Sequence, residues 1–417
     1  MARFLYTLAI HALLPWALLH LLWRARRQPA YLKHWGERLG VFRPRPPGPL
    51  FWIHAVSVGE TRAAQPLITA LKARYPEHRI LLTHMTPTGR ATSKSLFGGG
   101  DVTRVYLPYD TPWAMRRFLR HYRPELGLVM ETELWPNLIA ACGEADIPLL
   151  LVNARLSEKS ARRYARFPRL TRAALTRLAA VAAIGTDDAA RLENLGARDV
   201  AVFGNLKFDI APPDDLAGFR ARIGRRPVFL CASTREGEEA PILDAWLKVS
   251  AGGTALLIVV PRHPQRFDDV ARLVEARGLK LQRRSGDQAV ADDTQVWLGD
   301  SMGEMFAYYA AADVVFIGGS LLDFGCQNLI EPCAVGAPVL IGPSTFNFAE
   351  AARAALAAGA ARQVGDAGEL VAQAQALLAD ATERQAMGEA GRAFAARHRG
   401  ATQRTLALIE KFIPAAR

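Results

Sequence analysis

At 417 residues the chain is longer than one hydrophobic core ordinarily organises, so two domains with additional segments are expected. Half of its residues are hydrophobic, ample for buried parallel sheets. Lys and Arg exceed Asp and Glu by 52 to 40, yet no zinc-finger spacing, RNP-like aromatic motif or Lys/Arg run accompanies the excess, which argues against nucleic acid as a partner.

Phe4 to Trp23 reads FLYTLAIHALLPWALLHLLW, twenty residues without a formal charge and about the length that crosses a hydrocarbon core. Arg24, Arg26 and Arg27 follow at once, and Lys33, Arg38, Arg43 and Arg45 continue the basic stretch. Such a flank is held on the cytoplasmic side and faces an anionic surface, with Trp16 and Trp23 suited to headgroup depth. His11, Pro15 and His20 keep a second arrangement open, in which the helix lies in the interface. No A-x-A-like site closes the apolar run, which argues against a cleaved signal peptide. Residues 1–23 are therefore read as a membrane anchor helix, and 24–48 as a basic juxtamembrane segment with a Pro-rich connector (RPRPPGP from Arg43).

From Leu50 onward, apolar runs alternate with helix-period segments: 50–56, 79–83, 126–130, 149–152 and 200–203, with Ala64, Leu67, Leu71 and Tyr75 at helical spacing between the first two. A second series runs through 228–231, 255–260, 296–298, 314–317 and 339–341, beyond a polar linker at Pro212 to Asp215. The alternation implies an α/β chain with two Rossmann-like, doubly wound domains facing a cleft. The boundaries read as 49–206 for the first, 207–395 for the second and 396–417 for a C-terminal helix that either covers the second sheet or crosses back to the first domain. Ligands of such sheets bind beyond the carboxyl ends of the strands, so chemistry is sought there. Cys142, Cys231, Cys326 and Cys333 form no C-x-x-C pair, so neither zinc nor disulfides are indicated and a reduced, cytosolic body is expected.

The first strand exits into Ser57, Val58, Gly59 and Glu60, ahead of a helix expected over 61–75. A carboxylate there is placed to take a proton from an attacking hydroxyl, or serves only as a first-turn acid. The strand at 126–130 exits into Glu131, Thr132, Glu133, Leu134 and Trp135. Glu131 is a second carboxylate at the same edge and Trp135 a stacking face for a sugar, while Thr132 and Glu133 also fit an N-cap and a first-turn acid. Lys207, in GNLKFD at the end of the first domain on the expected cleft, suits a phosphate or carboxylate, or is a solvated linker lysine, the commoner outcome.

In the second series Ser233 and Thr234 follow one strand and Arg262 and His263 another, and an arginine flanked by proline suits bidentate anion binding. Asp300 and Ser301 read as caps, with Gly303 at a helix start. Gly318 to Pro332 (GGSLLDFGCQNLIEP) reads as a glycine-punctuated turn holding Gly319 and Ser320 and leading into a helix over 328–335, with Glu331 one turn in. That turn aims backbone N–H groups at an anion, and Glu331 can accept from sugar hydroxyls; together they indicate a nucleotide-sugar pocket. P-loop, G-x-G-x-x-G, G-x-S-x-G and H-E-x-x-H motifs are absent, and no D-x-D follows an apolar strand, so a metal-free transferase is preferred.

HAVSVGE (His54 to Glu60), ETELWPN (Glu131 to Asn137), GNLKFD (Gly204 to Asp209), STREGEE (Ser233 to Glu239), PRHPQRF (Pro261 to Phe267), GGS with QNLIEP, and GPSTFNF (Gly342 to Phe348) stand in an order that closely resembles the 3-deoxy-D-manno-octulosonic acid (Kdo) transferases. The resemblance runs from the anchor to at least Phe348. It implies a GT-B glycosyltransferase on the cytoplasmic face of a bacterial inner membrane, moving Kdo from CMP-Kdo to a phosphorylated lipid A precursor such as lipid IVA in lipopolysaccharide biosynthesis. Inversion at the anomeric carbon, no metal and no cofactor besides the donor substrate are implied with it, and anionic membrane lipids are the expected surroundings. Glu60 resembles the catalytic base, with Ser57, Gly59, Glu131 and Trp135 on the acceptor side. Lys207, Ser233, Thr234, Arg262, His263, Gly303, Glu304, Gly319, Ser320, Asn328 and Glu331 match positions that hold CMP or the donor carboxylate. The chain departs from the usual Gly-Gly-His-Asn or Gly-Gly-Gln-Asn turn in placing Cys326 after Gly325, ahead of Gln327 and Asn328. A UDP-sugar transferase of the same fold, or a membrane-tethered sugar- or lipid-binding scaffold, is the alternative.

Overall fold

Runs such as Leu126–Met130 and Leu256–Pro261 are apolar on both faces, a pattern that suits strands covered by helices on either side. A computed structural model of the chain describes all residues except 46, 99, 101, 211, 213–215, 250–253 and 414–417. Pro213 to Asp215 of the expected linker, and Pro46 of the connector, thus lie outside the described residues. The chain divides into two units, Met1–Ile210 with Arg399–Arg417, and Ala211–His398.

The first unit is built on β1 (Leu50–His54), β2 (Arg79–His84), β3 (Val102–Tyr106), β4 (Leu126–Met130), β5 (Leu149–Ala154), β6 (Ala180–Ala183) and β7 (Val200–Val202). Its seven strands are all parallel in the order β3-β2-β1-β4-β5-β6-β7, so the direction of winding reverses between β1 and β4. The second unit has β8 (Val228–Thr234), β9 (Leu256–Pro261), β10 (Leu281–Arg283), β11 (Val296–Leu298), β12 (Val314–Ile317), β13 (Val339–Ile341) and β14 (Ala361–Gln363). They are parallel in the order β10-β11-β9-β8-β12-β13-β14, reversing between β8 and β12. These reversals are the topological switch points at which doubly wound sheets bind ligands.

Four strands escape the sequence pattern. β3 carries Thr103 and Arg104 midway, β6 is Ala-Val-Ala-Ala, which reads as helix, and β10 and β14 are three-residue edge strands. The helix expected over 61–75 is two, Val58–Ala63 and Gln65–Arg74, because Pro66 has no N–H for the Arg62 carbonyl four residues back and its ring clashes with that carbonyl, so a new helix starts at its first turn.

The N-terminal helix, Ala2–Arg27, is 26 residues and about 39 Å long. Arg3 Nη1 donates to Glu144 at 3.2 Å, Tyr6 Oη to Asp110 at 2.9 Å and Thr7 Oγ1 to Asn137 at 3.0 Å, so its first turns are fastened to the first unit. At the other end Leu21 and Ala25 pack with Tyr31, whose ring lies 4.3 Å from the Arg24 guanidinium. The basic stretch is not uniformly a surface. Arg38 is buried, 4.0 Å over the Tyr106 ring, and donates to the Met85 carbonyl, so it belongs to the fold rather than to an anionic partner.

The C-terminal helix, Ala401–Glu410, belongs to the first unit, where Asp209 caps it: its two carboxylate oxygens accept from Gly400 N–H and Thr402 N–H, each at 2.6 Å. Asp209→Ala leaves both donors unpaired and is expected to lower stability by about 1–2 kcal/mol. Urea unfolding of the full chain reads this as a lower midpoint, and Asp209→Asn retains part of it.

Candidate active site

At the switch point of the first sheet, Ser57 closes β1 and caps the Val58–Ala63 helix, accepting the Glu60 N–H at 3.3 Å. Its own hydroxyl donates back to Glu60 Oε1 at 3.0 Å, while Val56 N–H donates to Oε2 at 2.7 Å. This reciprocal cap fixes the Glu60 rotamer. The residue is only 8% exposed, and burial first, then the nearby charge of Glu131, push its pKa from 4.5 up to about 8 despite those two donors. Gly59 sits in the same half-turn.

Glu131 follows β4, the strand paired with β1, and takes a left-handed backbone at φ 56°. That conformation is costly for a side-chain-bearing residue and gathers at functional turns. Lys207 Nζ lies 3.5 Å from its carboxylate although Lys207 follows β7, three strands away in the sheet. Asn153 explains the reach: at φ 52° at the end of β5, it accepts the Leu206 N–H at 2.9 Å and draws the 205–208 segment back over the sheet edge. The family resemblance implies a donor-side role for Lys207, and nothing in the sequence marks Asn153; the structure brings Lys207 to the Glu131 carboxylate. Trp135 Nε1 donates to Glu133 Oε2 at 2.9 Å, and burial raises the Glu133 pKa. Thr132 and Glu133 do not start a helix. The helix begins at Pro136, and Asp110 caps it from another loop by accepting Asn137 N–H and Leu138 N–H at 3.0 and 2.8 Å.

In the second unit the candidate residues lie at the carboxyl ends of β8, β9, β11 and β12, four adjacent strands. Ser233 takes φ 58° where the β8–β9 register shifts, and β12's exit approaches it closely because Gly318 has no side chain: a Cβ there would lie 2.5 Å from Ser233 O. Thr234 Oγ1 donates to the buried Glu239 at 3.0 Å. Arg262 Nε donates to Gln327 Oε1 at 3.2 Å, and Arg235 Nη1 to His263 Nε2 at 2.8 Å, with the Arg235 guanidinium 4.5 Å from the Phe324 ring centroid. Burial, followed by Arg235 and Arg262, lowers the His263 pKa, in keeping with a neutral imidazole that accepts from arginine.

The glycine-rich turn differs from expectation in what its amides face. Gly319 N–H and Leu321 N–H donate at 2.7 and 3.1 Å to Glu238, a carboxylate with no exposed surface, which also accepts Arg235 N–H at 2.8 Å. An internal anion thus occupies this part of the nest. Ser320 is fully buried, bonding the Ile317 carbonyl and accepting Gly342 N–H at 2.8 Å, so its side chain shapes the loop. Asn328 Oδ1 accepts Ile330 N–H at 3.0 Å and the helix is Ile330–Val335, with Glu331 buried in its first turn. Cys326 adopts φ 68° with its side chain buried. Asp300 and Ser301 are not helix caps: the helix is Met305–Ala311, Asp300 accepts Ser285 N–H at 2.8 Å, and Gly303 at φ 90° is exposed before it. Glu304 pairs with Arg284 at 2.9 Å. Arg235, Glu238 and Gln327 were unassigned in the sequence; their common signal was position, just past strands whose exits meet at the switch point.

Two doubly wound parallel units of this kind, with polar groups gathered at each switch point, define a GT-B-type α/β protein. A glycosyltransferase structure from Rickettsia africae matches with a TM-score of 0.61 over 90% of this chain and 100% of that one, at 12% identity, a likeness of fold alone. The family profile described as 3-deoxy-D-manno-octulosonic-acid transferase (kdotransferase) matches residues 33–210. The 3-deoxy-D-manno-octulosonic acid transferase of Bordetella pertussis is 46% identical over 99% of this chain and 100% of its own, and that of Haemophilus influenzae 36% over 99% of each. The chain belongs to the 3-deoxy-D-manno-octulosonic acid transferase family, and is a glycosyltransferase.

The raised Glu60 pKa has a thermodynamic signature. Folded Glu60 keeps its proton to about pH 8, whereas the unfolded chain releases it near 4.5, so its contribution to stability is present below 4.5 and lost as pH rises through 8. Glu60→Gln, which cannot ionise, is expected to gain on the parent by a few kcal/mol, in order of magnitude, between pH 5 and pH 9 in paired urea titrations. A pH-independent difference would place the Glu60 pKa at its ordinary value.

Proposed function

We propose that the chain transfers Kdo from CMP-Kdo to a hydroxyl of a phosphorylated lipid A precursor such as lipid IVA, inverting the anomeric carbon without a metal, in lipopolysaccharide biosynthesis. The observation that carries this reading is Glu60, a buried carboxylate whose pKa near 8 suits a general base, on a chain of this transferase family. In this reading Glu60 Oε2 or Oε1 takes the proton of the attacking hydroxyl. Glu131 disfavours a second negative charge beside it and so keeps Glu60 basic, and Lys207 balances Glu131 and is available to an acceptor phosphate. Ser57 and Gly59 hold the turn, and Trp135 offers its indole face to the acceptor sugar.

In the second unit Arg262, Arg235 and His263 supply cationic and donor groups for the carboxylate of the Kdo and the phosphate of the nucleotide. Ser233, Thr234, Gly303, Glu304, Gly319, Asn328 and Glu331 frame the remainder of that site. The charge of the departing CMP is met by the same guanidinium groups. Glu60→Gln should lower kcat by about 10²- to 10⁴-fold while CMP binding persists. In the parent, kcat/KM should rise with pH and level off above about 8, and Glu131→Gln should move that limb down. Arg262→Lys should raise the KM for CMP-Kdo about tenfold or more. Full turnover in Glu60→Gln, read by CMP release, removes Glu60 as the base, and tighter binding of UDP than of CMP by thermal shift favours a UDP-sugar transferase instead.

We place the protein on the cytoplasmic face of the inner membrane, with its N-terminal helix lying in the interface. The helix is long and apolar enough to cross a bilayer by length and composition, but its first turns are fastened to Glu144, Asp110 and Asn137. Its last turn leads directly to Tyr31 and to Glu37, which Arg90 and Tyr106 N–H hold in the same unit. A helix bound at both ends to one body cannot put one of those ends beyond about 30 Å of hydrocarbon. Phe4, Leu8, Trp16, Leu19 and Trp23, all more than half exposed, then face the lipid. The four native cysteines are buried, so an Ala2→Cys chain carries one accessible thiol. Impermeant thiol reagent is expected to label it from the cytoplasmic side of inverted vesicles, and labelling only from the opposite side would establish a spanning helix.

A further inference from the structure

Between the first turns of the N-terminal helix and the Tyr164–Ala174 segment lies an apolar groove of about 710 Å³, lined by Leu5, Tyr6, Ala9, Leu134, Phe167 and Leu170 among others. Its size is that of a small-molecule site. Much of its lining is apolar surface open to the outside: Leu5 is 59% and Phe167 65% exposed. A soluble domain seldom leaves such a patch without an occupant.

Two features say what the occupant is. First, the groove shares a wall with the loop that carries the candidate carboxylates: Leu134 and Pro136 line it, and Tyr164 Oη, from the opposite wall, donates to the Thr132 carbonyl at 3.2 Å, one residue from Glu131. Secondly, its rim is basic. Residues 155–172 hold seven arginines and lysines against one acid, Glu158, and Arg163, Arg166 and Arg169 are exposed, Arg169 on the groove itself. An apolar slot with a cationic rim, one wall formed by an interface helix, is complementary to an amphiphile with an anionic head and an alkyl tail.

We propose that this groove receives an acyl chain of the acceptor glycolipid while its phosphorylated sugar extends toward Glu131 and Glu60. The proposal rests on the reading of the acceptor as an acylated, phosphorylated glycolipid. A chain that leaves bilayer for groove exchanges one apolar surrounding for another, so the groove contributes little affinity and chiefly sets which hydroxyl meets the base. It thereby distinguishes an acylated acceptor from its deacylated sugar.

The test uses the full chain in phosphatidylethanolamine nanodiscs with a tetraacylated, bisphosphorylated glucosamine disaccharide bearing a diazirine on one acyl chain. Photolysis and peptide mass spectrometry should place the label on Leu5–Ala9 and Phe167–Leu170. Phosphatidylglycerol with the same diazirine at the same mole fraction should label the outward face, at Trp16 and Leu19, and leave the groove walls unlabelled. Leu170→Trp, and Ala9→Phe from the opposite wall, should each lower kcat/KM for the acylated acceptor about tenfold with turnover of the deacylated disaccharide unchanged. Absence of groove label, equal groove label from the phospholipid, or an equal loss on both acceptors overturns the proposal. Should the parent transfer Kdo to neither acceptor, the transfer reading fails, while the labelling pattern still decides the groove.

Discussion

Keeping a carboxylate out of water at the end of a buried parallel strand is unfavourable, and much of the first unit is arranged around that cost. Glu60 is held by the two donors nearest in sequence, Val56 N–H and the Ser57 hydroxyl, which orient it without fully restoring the hydration it has lost. The result is a group that is fixed yet basic. Glu131 adds a like charge from the neighbouring strand exit, and Lys207, drawn in by Asn153, prevents that second charge from standing uncompensated. Each depends on the strand order, because only the reversal between β1 and β4 puts these two exits side by side.

The second unit solves the opposite problem. A glycine-rich turn after a parallel strand presents amides that attract an anion, and here Glu238 supplies one from within the protein. Burial drives the Glu238 pKa upward while three amide donors hold it down. With those amides engaged, the arginines at the β8 and β9 exits are the cationic groups that the proposed function assigns to an anionic donor. Gln327 and His263 orient those arginines, and the left-handed turns at Ser233 and Gly319 bring the loops together. At Cys326 the backbone is left-handed, one a glycine adopts more easily, and the side chain is buried.

The N-terminal helix is tied to the segment that follows the Glu131 loop. Asp110 accepts from Tyr6 of that helix and from the N–H groups of Asn137 and Leu138, so one carboxylate fastens the helix and caps the segment that follows Trp135. The position of the N-terminal helix and that of the loop carrying Glu131 and Trp135 are therefore mechanically coupled through Asp110, a residue with no marked signal in the sequence.

The chain's own order of residues determined the alternation of buried strands and helices, the apolar N-terminal segment, the family and the positions of Glu60, Glu131, Arg262 and the 318–332 turn, because these follow from local periodicity and contiguous motifs. It did not determine the edge strands β10 and β14 or the alanine-rich β6, whose pairing with neighbours outweighs weak local preference. Nor did it determine that Lys207 meets Glu131, that Glu238 occupies the turn, that Ser320 points inward or that Arg38 is buried. Those were decided by tertiary structure, since each joins residues from separate loops or elements, and only a formed sheet sets which exits are neighbours and which side chains lose contact with water.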